Sequence, residues 1–157
     1  MSFLARWSRG ALRFTQISWH ERLLLGEAAV LLAISSLAIA WLPFRWVTRL
    51  AGREGRRPDQ SAGTEQAIAA VRWAVAACGR FAPWRPVCFQ HGLAAHWMLR
   101  RRGITSTLYY GASSDPERGI IAHVWIKSGE LPVIGCEEAG RYAVLAAYPP
   151  PIPERAG

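Results

Sequence analysis

A cysteine and a histidine on separate predicted elements could together form a thiol nucleophile and its base. Cys88 follows Pro83 and Pro86, which favour an extended approach and a helix that starts near Val87 or Cys88. A helix N-terminus lowers the pKa of a thiol and offers free N–H groups to a developing oxyanion. His123 lies in a run of residues typical of a strand. Our hypothesis is that Cys88 and His123 meet in space.

Each of these residues also has a structural interpretation. A single cysteine near a helix start is more often a small buried residue, and a strand histidine is often a core or rim residue. A zinc site would use Cys88, His91 and His96 with Cys136. Structural zinc sites usually draw close ligand pairs from two segments, and the sequence has no second pair. We therefore expect no metal and no cofactor.

Helix and strand patterns surround the two candidate residues. Apolar residues between Thr64 and Gly79 form one helical stripe, with Thr64 as the expected N-cap and Gly79 as the expected stop. A second helix runs from Cys88 to the left-handed cap expected at Gly103. Strands are predicted at 104–110, 120–127, 131–135 and 141–148, with a polar loop at 112–119. The predicted fold class is α+β, with the nucleophile helix on an antiparallel meander of about four strands and further helices before it.

The N-terminal third is apolar and basic. Residues 1–22 resemble a basic amphipathic helix, and residues 23–42 approach the length of a membrane span. Glu27 interrupts that run and Pro43 ends it, so a spanning helix is not favoured, although membrane association stays open. The alternative is that these helices pack on the catalytic part or against a partner protein.

Composition limits the remaining function classes. The chain has 157 residues, a net charge of +8 and three cysteines without a CxxC pair. These values favour one folded core in a reducing compartment, and we expect a cytoplasmic protein. The basic character is almost entirely arginine, which suits acidic partners. No nucleic-acid-binding module is recognisable, so nucleic acid is not expected as a partner.

The run 84–104, WRPVCFQHGLAAHWMLRRRGI, with LYYG at 108–111, AHVWI at 122–126 and VIG at 133–135, resembles the B2 leader peptidases of lasso peptide biosynthesis. These are bacterial transglutaminase-like cysteine proteases with a papain-like core. The resemblance implies removal of the leader from a precursor peptide, together with a separate winged-helix recognition protein and upstream of an ATP-dependent cyclase, itself a candidate partner. It divides the chain into N-terminal helices and basic linker (1–60), protease core (61–150) and proline-rich tail (151–157).

The resemblance also assigns roles to individual residues. Cys88 matches the nucleophile and His123 the base, whereas the aspartate of the family has no counterpart, so Glu138 or Glu137 is the candidate third residue. Candidates for the oxyanion site and the pocket wall are Gln90, Trp84, Trp97 and Tyr110. Two alternatives remain: a non-catalytic peptide-binding scaffold of the same fold, and a membrane-tethered protein.

Overall fold

The computed structural model describes residues 18–43, 45, 46, 49, 52 and 62–150. Among these residues, three helices with complete bounds come first, followed by four strands and one short 3-10 helix. Their bounds are α1 Trp19–Trp41, α2 Ala62–Phe81, α3 Cys88–Arg101, β1 Thr107–Asp115, β2 Gly119–Ser128, β3 Leu131–Ile134, the 3-10 helix Ala139–Arg141 and β4 Ala143–Tyr148. The α+β class is therefore confirmed. The expectations for residues 1–17, the linker at 53–60, the domain division at residue 60 and the tail at 151–157 fall outside the described residues.

Helix α1 belongs to the helical layer of the fold. Its buried residues, which pack against α2 and α3, are Ala28, Leu32, Ser35 and Ala38. The helix ends just before Pro43, as expected. The Ser35 hydroxyl donates to the carbonyls of Leu32 and Gln90, at 2.9 and 3.2 Å. At the other end Glu27 pairs with Arg102 of the segment after α3, through contacts of 3.1 and 2.6 Å. The Ser35–Gln90 and Glu27–Arg102 contacts show that α1 and α3 run antiparallel.

Helix α2 is longer than its sequence signals indicate. It starts at Ala62, so Thr64 is not the N-cap, and it continues through Gly79 to Phe81. Gly79 lies inside the helix, and the ring of His91 occupies the space that a side chain at this position would fill. A Cβ at residue 79 would lie 2.0 Å from His91 Nε2. The glycine therefore serves helix packing and does not stop the helix.

The sheet is antiparallel but is not a meander. Its order is β3-β2-β1-β4, so β4 pairs with β1 and does not follow β3 at the edge. The connection from Gly135 to Tyr142 carries the chain from one edge of the sheet to the other. Pro132 lies on the edge strand β3, as expected.

The predicted polar loop at 112–119 is largely a continuation of the first hairpin. Strands β1 and β2 remain paired up to Asp115 and Gly119, which leaves a turn of residues 116–118. The Asp115 carboxylate accepts the backbone N–H groups of Glu117 and Arg118, at 3.0 and 2.9 Å. Gly119 has a φ of 75°, which glycine adopts without strain. These contacts close the hairpin and leave no loop to cover a site.

The two faces of β2 have different neighbours. Val124 and Ile126 point towards the helices and belong to the main core. A Cβ at Gly92 of α3 would lie 3.0 Å from Val124 Cγ1, so this glycine lets α3 approach the sheet closely. On the opposite face Trp125 stacks on Tyr109, with ring centroids 5.7 Å apart.

Candidate active site

Cys88 is the first residue of α3, where the sequence predicts it. Val87 before it has extended backbone, and the Val87 N–H donates to Gln90 Oε1 at 2.8 Å. The preceding turn is strained, because Arg85 has a φ of 48° in the left-handed region that non-glycine residues rarely adopt. At its other end α3 is followed by Gly103 with a φ of 70°, which confirms the predicted cap. The helix therefore presents Cys88 at its positive end.

The thiol of Cys88 is half-buried and packs against the hydrophobic core. Cys88 lies one helical turn before Gly92, on the side of α3 that approaches β2. The backbone N–H groups of Gln90 and His91 donate to the Val87 carbonyl at 3.0 and 3.3 Å, whereas the backbone N–H of Cys88 itself could donate to negative charge that develops on a substrate oxygen. This placement suits a nucleophile.

His123 projects from the face of β2 that carries Trp125. Its ring stacks with the ring of Trp125 at 6.0 Å and lies tilted by 30° against the ring of Tyr142, with centroids 5.0 Å apart. His123 Nε2 lies 2.8 Å from the carbonyl oxygen of Gly135, the residue that follows β3. Stacking and the hydrogen bond together fix the plane of the imidazole.

The contact with Gly135 determines which nitrogen of His123 can act as a base. A carbonyl oxygen only accepts hydrogen bonds, so Nε2 carries the proton that it donates. In the neutral ring Nδ1 then holds the free lone pair. Any proton that His123 accepts from a nucleophile must therefore arrive at Nδ1.

The hydrogen bond of the His123 ring goes to Gly135, and among the described residues none links Cys88 Sγ to the ring. Catalytic hydrogen bonds are often long before substrate binds, so this geometry does not dismiss the pair. The Cys88–His123 dyad stays a prediction.

Neither candidate glutamate contacts the imidazole. Glu138 lies 3.9 Å from Arg141, and its side chain is more than half exposed. Glu137 is also exposed and lines the cavity described below. The hydrogen-bond partner of the His123 ring in this structure is the backbone carbonyl of Gly135, and the role of Glu138 or Glu137 as the third residue stays a prediction. No residue type in the sequence marks this acceptor, because it belongs to the main chain; the only signal was the glycine that ends the VIG run.

An open cavity of about 450 Å³ lies between the helices and the β3 edge. It is lined by Arg72, Ala76, Gly79, Arg80, His91, Val133, Ile134, Gly135 and Glu137. The Arg72 guanidinium donates to the carbonyls of Val133 and Pro132, which ties α2 to β3. His91 lies one turn after Cys88, and its Nδ1 is 3.1 Å from the Val87 carbonyl oxygen. The cavity thus touches both the first turn of α3 and the residue that holds His123.

The other predicted residues lie at several places. Gln90 uses Oε1 at the helix cap, which leaves its amide N–H groups for an oxyanion. Trp84 is exposed before α3, Tyr110 packs against the core, and Trp97 lines a shallow cleft with Leu31. Of the described residues that line the larger cavity, none is one of these three aromatics. Their role as a pocket wall stays a prediction.

The histidines and cysteines considered above as zinc ligands do not lie together in one cluster. His96 Nδ1 lies 2.8 Å from Ser106 Oγ in the core, and Cys136 Sγ donates to the Ile126 carbonyl at 3.1 Å. Within residues 18–43 and 62–150 no three such side chains could hold a metal ion. Burial raises the pKa of the thiols of Cys78 and Cys136. Both are therefore poor nucleophiles at neutral pH.

Comparison with known proteins gives one finding that covers most of the chain. Residues 29–147 match the family model of the transglutaminase-like superfamily. The match begins inside α1 and ends within β4, so it includes all of α2, α3 and the elements of the site. No curated protein and no solved structure matches the chain significantly. The chain belongs to the transglutaminase-like superfamily, which includes cysteine peptidases and transglutaminases.

Proposed function

We propose that this protein is a cysteine peptidase that removes the leader from a lasso precursor peptide in the bacterial cytoplasm. The observation that carries the proposal is the position of Cys88 as the first residue of a helix in a transglutaminase-like chain. The choice of a leader as substrate comes from the resemblance of residues 84–104 and 122–126 to lasso leader peptidases.

The proposed chemistry uses Cys88 and His123 in turn. Nδ1 of His123 accepts the proton of the Cys88 thiol while the sulfur attacks the scissile carbonyl. The imidazolium then protonates the leaving amine, and water hydrolyses the thioester to release the second product. The backbone N–H of Cys88, with the Gln90 side-chain amide, stabilises the oxyanion. The Gly135 carbonyl keeps Nε2 protonated throughout.

The partners follow from the same proposal. A separate winged-helix protein delivers the leader, and the ATP-dependent cyclase receives the released core peptide. Arg80 lines the cavity next to Gly135, and its positive charge would favour an acidic leader residue there.

The experiment compares wild type with Cys88→Ala on a precursor peptide and its recognition protein, read by mass spectrometry. Cys78→Ala is the matched control, because Cys78 is half-buried and its Sγ donates to the Leu25 carbonyl in the helical layer. We expect cleavage by wild type and by Cys78→Ala and none by Cys88→Ala. Cleavage by Cys88→Ala at the wild-type rate would refute the peptidase.

A non-catalytic scaffold is the second candidate, because Cys88 and His123 share no hydrogen bond in the described part of the chain. A scaffold would bind the precursor peptide but cleave nothing, even with the recognition protein present. Peptide binding by wild type without cleavage would therefore favour it.

A further inference from the structure

The solvent-facing side of α1 is apolar along its whole length. Six large residues with exposed fractions between 45% and 83% form this apolar stripe: Trp19, Leu23, Val30, Ile34, Leu37 and Trp41. Their spacings of 4, 7, 4, 3 and 4 place them on one line of the helix, and Gly26 fills the longer gap. Glu27, four residues after Leu23, borders the stripe and is paired with Arg101 and Arg102.

Helix α1 is apolar on both sides, unlike an ordinary surface helix. The side that packs on α2 and α3 buries Ala28, Leu32, Ser35 and Ala38, and Leu24, Leu25 and Leu31 are partly buried against the core. A helix of a soluble domain normally keeps its large apolar residues on the packed side. Here six more face outward over about 33 Å, at a rise of about 1.5 Å per residue. A surface this long and apolar is typical of an interaction site.

The ends of the stripe resemble those of helices at a lipid–water interface. Trp19 and Trp41 lie at its two ends, and tryptophan is enriched at the headgroup level of bilayers. The segments that flank α1 in the sequence are basic: residues 1–17 contain three arginines and no acid, and residues 43–57 contain five arginines and one glutamate. Arg49 lies over the Trp46 ring at 5.2 Å. Anionic lipid headgroups complement this charge.

The same observations argue against two other occupants. By length and composition α1 could cross a membrane, yet 28% of its most apolar part is already buried in the fold. Glu27 is held by Arg101 and Arg102, and basic residues flank both ends of α1, whereas spanning helices concentrate them on one side. A second copy is also disfavoured, because parallel and antiparallel pairing of α1 would both bring basic ends together.

We propose that α1 lies flat on an anionic lipid bilayer, with the apolar stripe in the acyl boundary and the flanking arginines on lipid phosphates. The helix stays packed on α2 and α3, so the rest of the domain sits on the membrane surface. This surface is independent of Cys88 and of the proposed peptidase activity.

The test uses flotation of the full chain with vesicles of phosphatidylcholine alone or mixed with phosphatidylglycerol. We expect binding to the mixed vesicles and a large loss of binding when NaCl rises from about 0.1 to 1 M. The double variant Ile34→Glu/Leu37→Glu should lower the partition coefficient at least about tenfold, because it removes apolar contact and adds charge repelled by the lipid. Both sites are exposed, so the fold is retained, as circular dichroism would check.

The matched control is Ile120→Glu/Val144→Glu, which makes the same kind of change at exposed apolar residues of the sheet. Its binding should stay within about twofold of wild type. Absence of wild-type binding to the mixed vesicles would overturn the proposal, as would equal losses in both variants. Resistance of the bound protein to alkaline carbonate would also overturn it, since it would indicate a spanning helix. A dimer by light scattering that the stripe variant dissolves, without vesicle binding, would assign the stripe to a second copy.

Discussion

The ion pairs of Glu27 allow a quantitative prediction about how α1 is held. Arg102 binds both carboxylate oxygens, at 3.1 and 2.6 Å, and also donates to the Met98 carbonyl at 2.8 Å. Arg101 Nε reaches Glu27 Oε1 at 3.0 Å. The side-chain exposures are 19% for Glu27, 30% for Arg102 and 69% for Arg101. The two arginines should therefore differ in their contribution to stability.

Glu27→Gln keeps the size of the side chain and removes its charge. Hydrogen bonds to charged groups are worth about 1.5–3 kcal/mol, and exposed ion pairs about 0.2–1 kcal/mol. The partly buried pair with Arg102 lies between these limits, so we expect a loss of about 1–2 kcal/mol in the free energy of unfolding. Arg101→Gln should cost less than about 0.5 kcal/mol because water screens its pair. For a chain of this size the Glu27→Gln loss corresponds to a Tm lower by about 2–8 °C.

Urea unfolding of wild type, Glu27→Gln, Arg101→Gln, Arg102→Gln and the Glu27→Gln/Arg102→Gln double variant would measure these terms. The coupling energy between Glu27 and Arg102 should be about 1 kcal/mol or more and should persist in about 1 M NaCl, whereas the Arg101 effect should vanish there. A Glu27→Gln loss below about 0.3 kcal/mol, or equal losses for Arg101→Gln and Arg102→Gln, would refute this account.

Three further predictions concern the thiols and two glycines. At about pH 8 iodoacetamide should alkylate Cys88 before Cys78 and Cys136, because burial raises the pKa of the latter two and keeps them protonated; peptide mapping that finds equal labelling would contradict this. Gly79→Ala should expel the His91 ring from its place beside α2 and perturb the NMR signals of the ring. The free energy of unfolding should change by less than about 1 kcal/mol, since the gain in helix propensity offsets the lost contact between His91 and Val87. Unchanged His91 signals would show that the ring does not lie there. Gly111→Ala should destabilise by about 1–3 kcal/mol, because the new methyl would lie 2.8 Å from the Trp125 ring and 2.9 Å from the Ala143 carbonyl. Gly140→Ala, which meets nothing within 4 Å, is its control in urea unfolding, and equal losses would contradict the clash.

Local signals in the sequence predicted the elements well where they were strong. Pro86 and Gly103 bracket α3, and the structure begins and ends this helix next to them. The start of α1 was also readable: Ser18 and Glu21 form a capping box, in which the Glu21 N–H lies 3.3 Å from Ser18 Oγ and Glu21 Oε2 accepts the Ser18 N–H. This motif is readable in the sequence but is not among the signals named above.

Features that depend on packing could not be read from the chain. Gly79 is a typical helix stop in sequence, but the ring of His91, which comes from another helix, decides its role. The position of β4 beside β1 depends on which sheet edge is free, and strand patterns carry no such information. Likewise, Leu23 and Leu37 face outward because α2 and α3 pack on the other side of α1, which the sequence does not specify.

The candidate site shows the same division. The sequence predicts that Cys88 lies at a helix start and His123 on a strand, since both are local properties. The face of β2 from which His123 projects also follows from alternation with Trp125. The hydrogen bond to Gly135 depends on where the chain turns after β3, which no side-chain pattern specifies.

The use of a main-chain oxygen to hold His123 has a consequence for genetics. Alanine substitution of Glu137 or Glu138 removes a side chain and leaves every peptide carbonyl in place, so it would not reveal this acceptor. Neutral residues could then replace Glu137 and Glu138 while the imidazole keeps its tautomer. Only a change that re-routes the backbone at Gly135, where φ is 72° and a Cβ would lie 2.7 Å from the Val124 carbonyl oxygen, would release the ring.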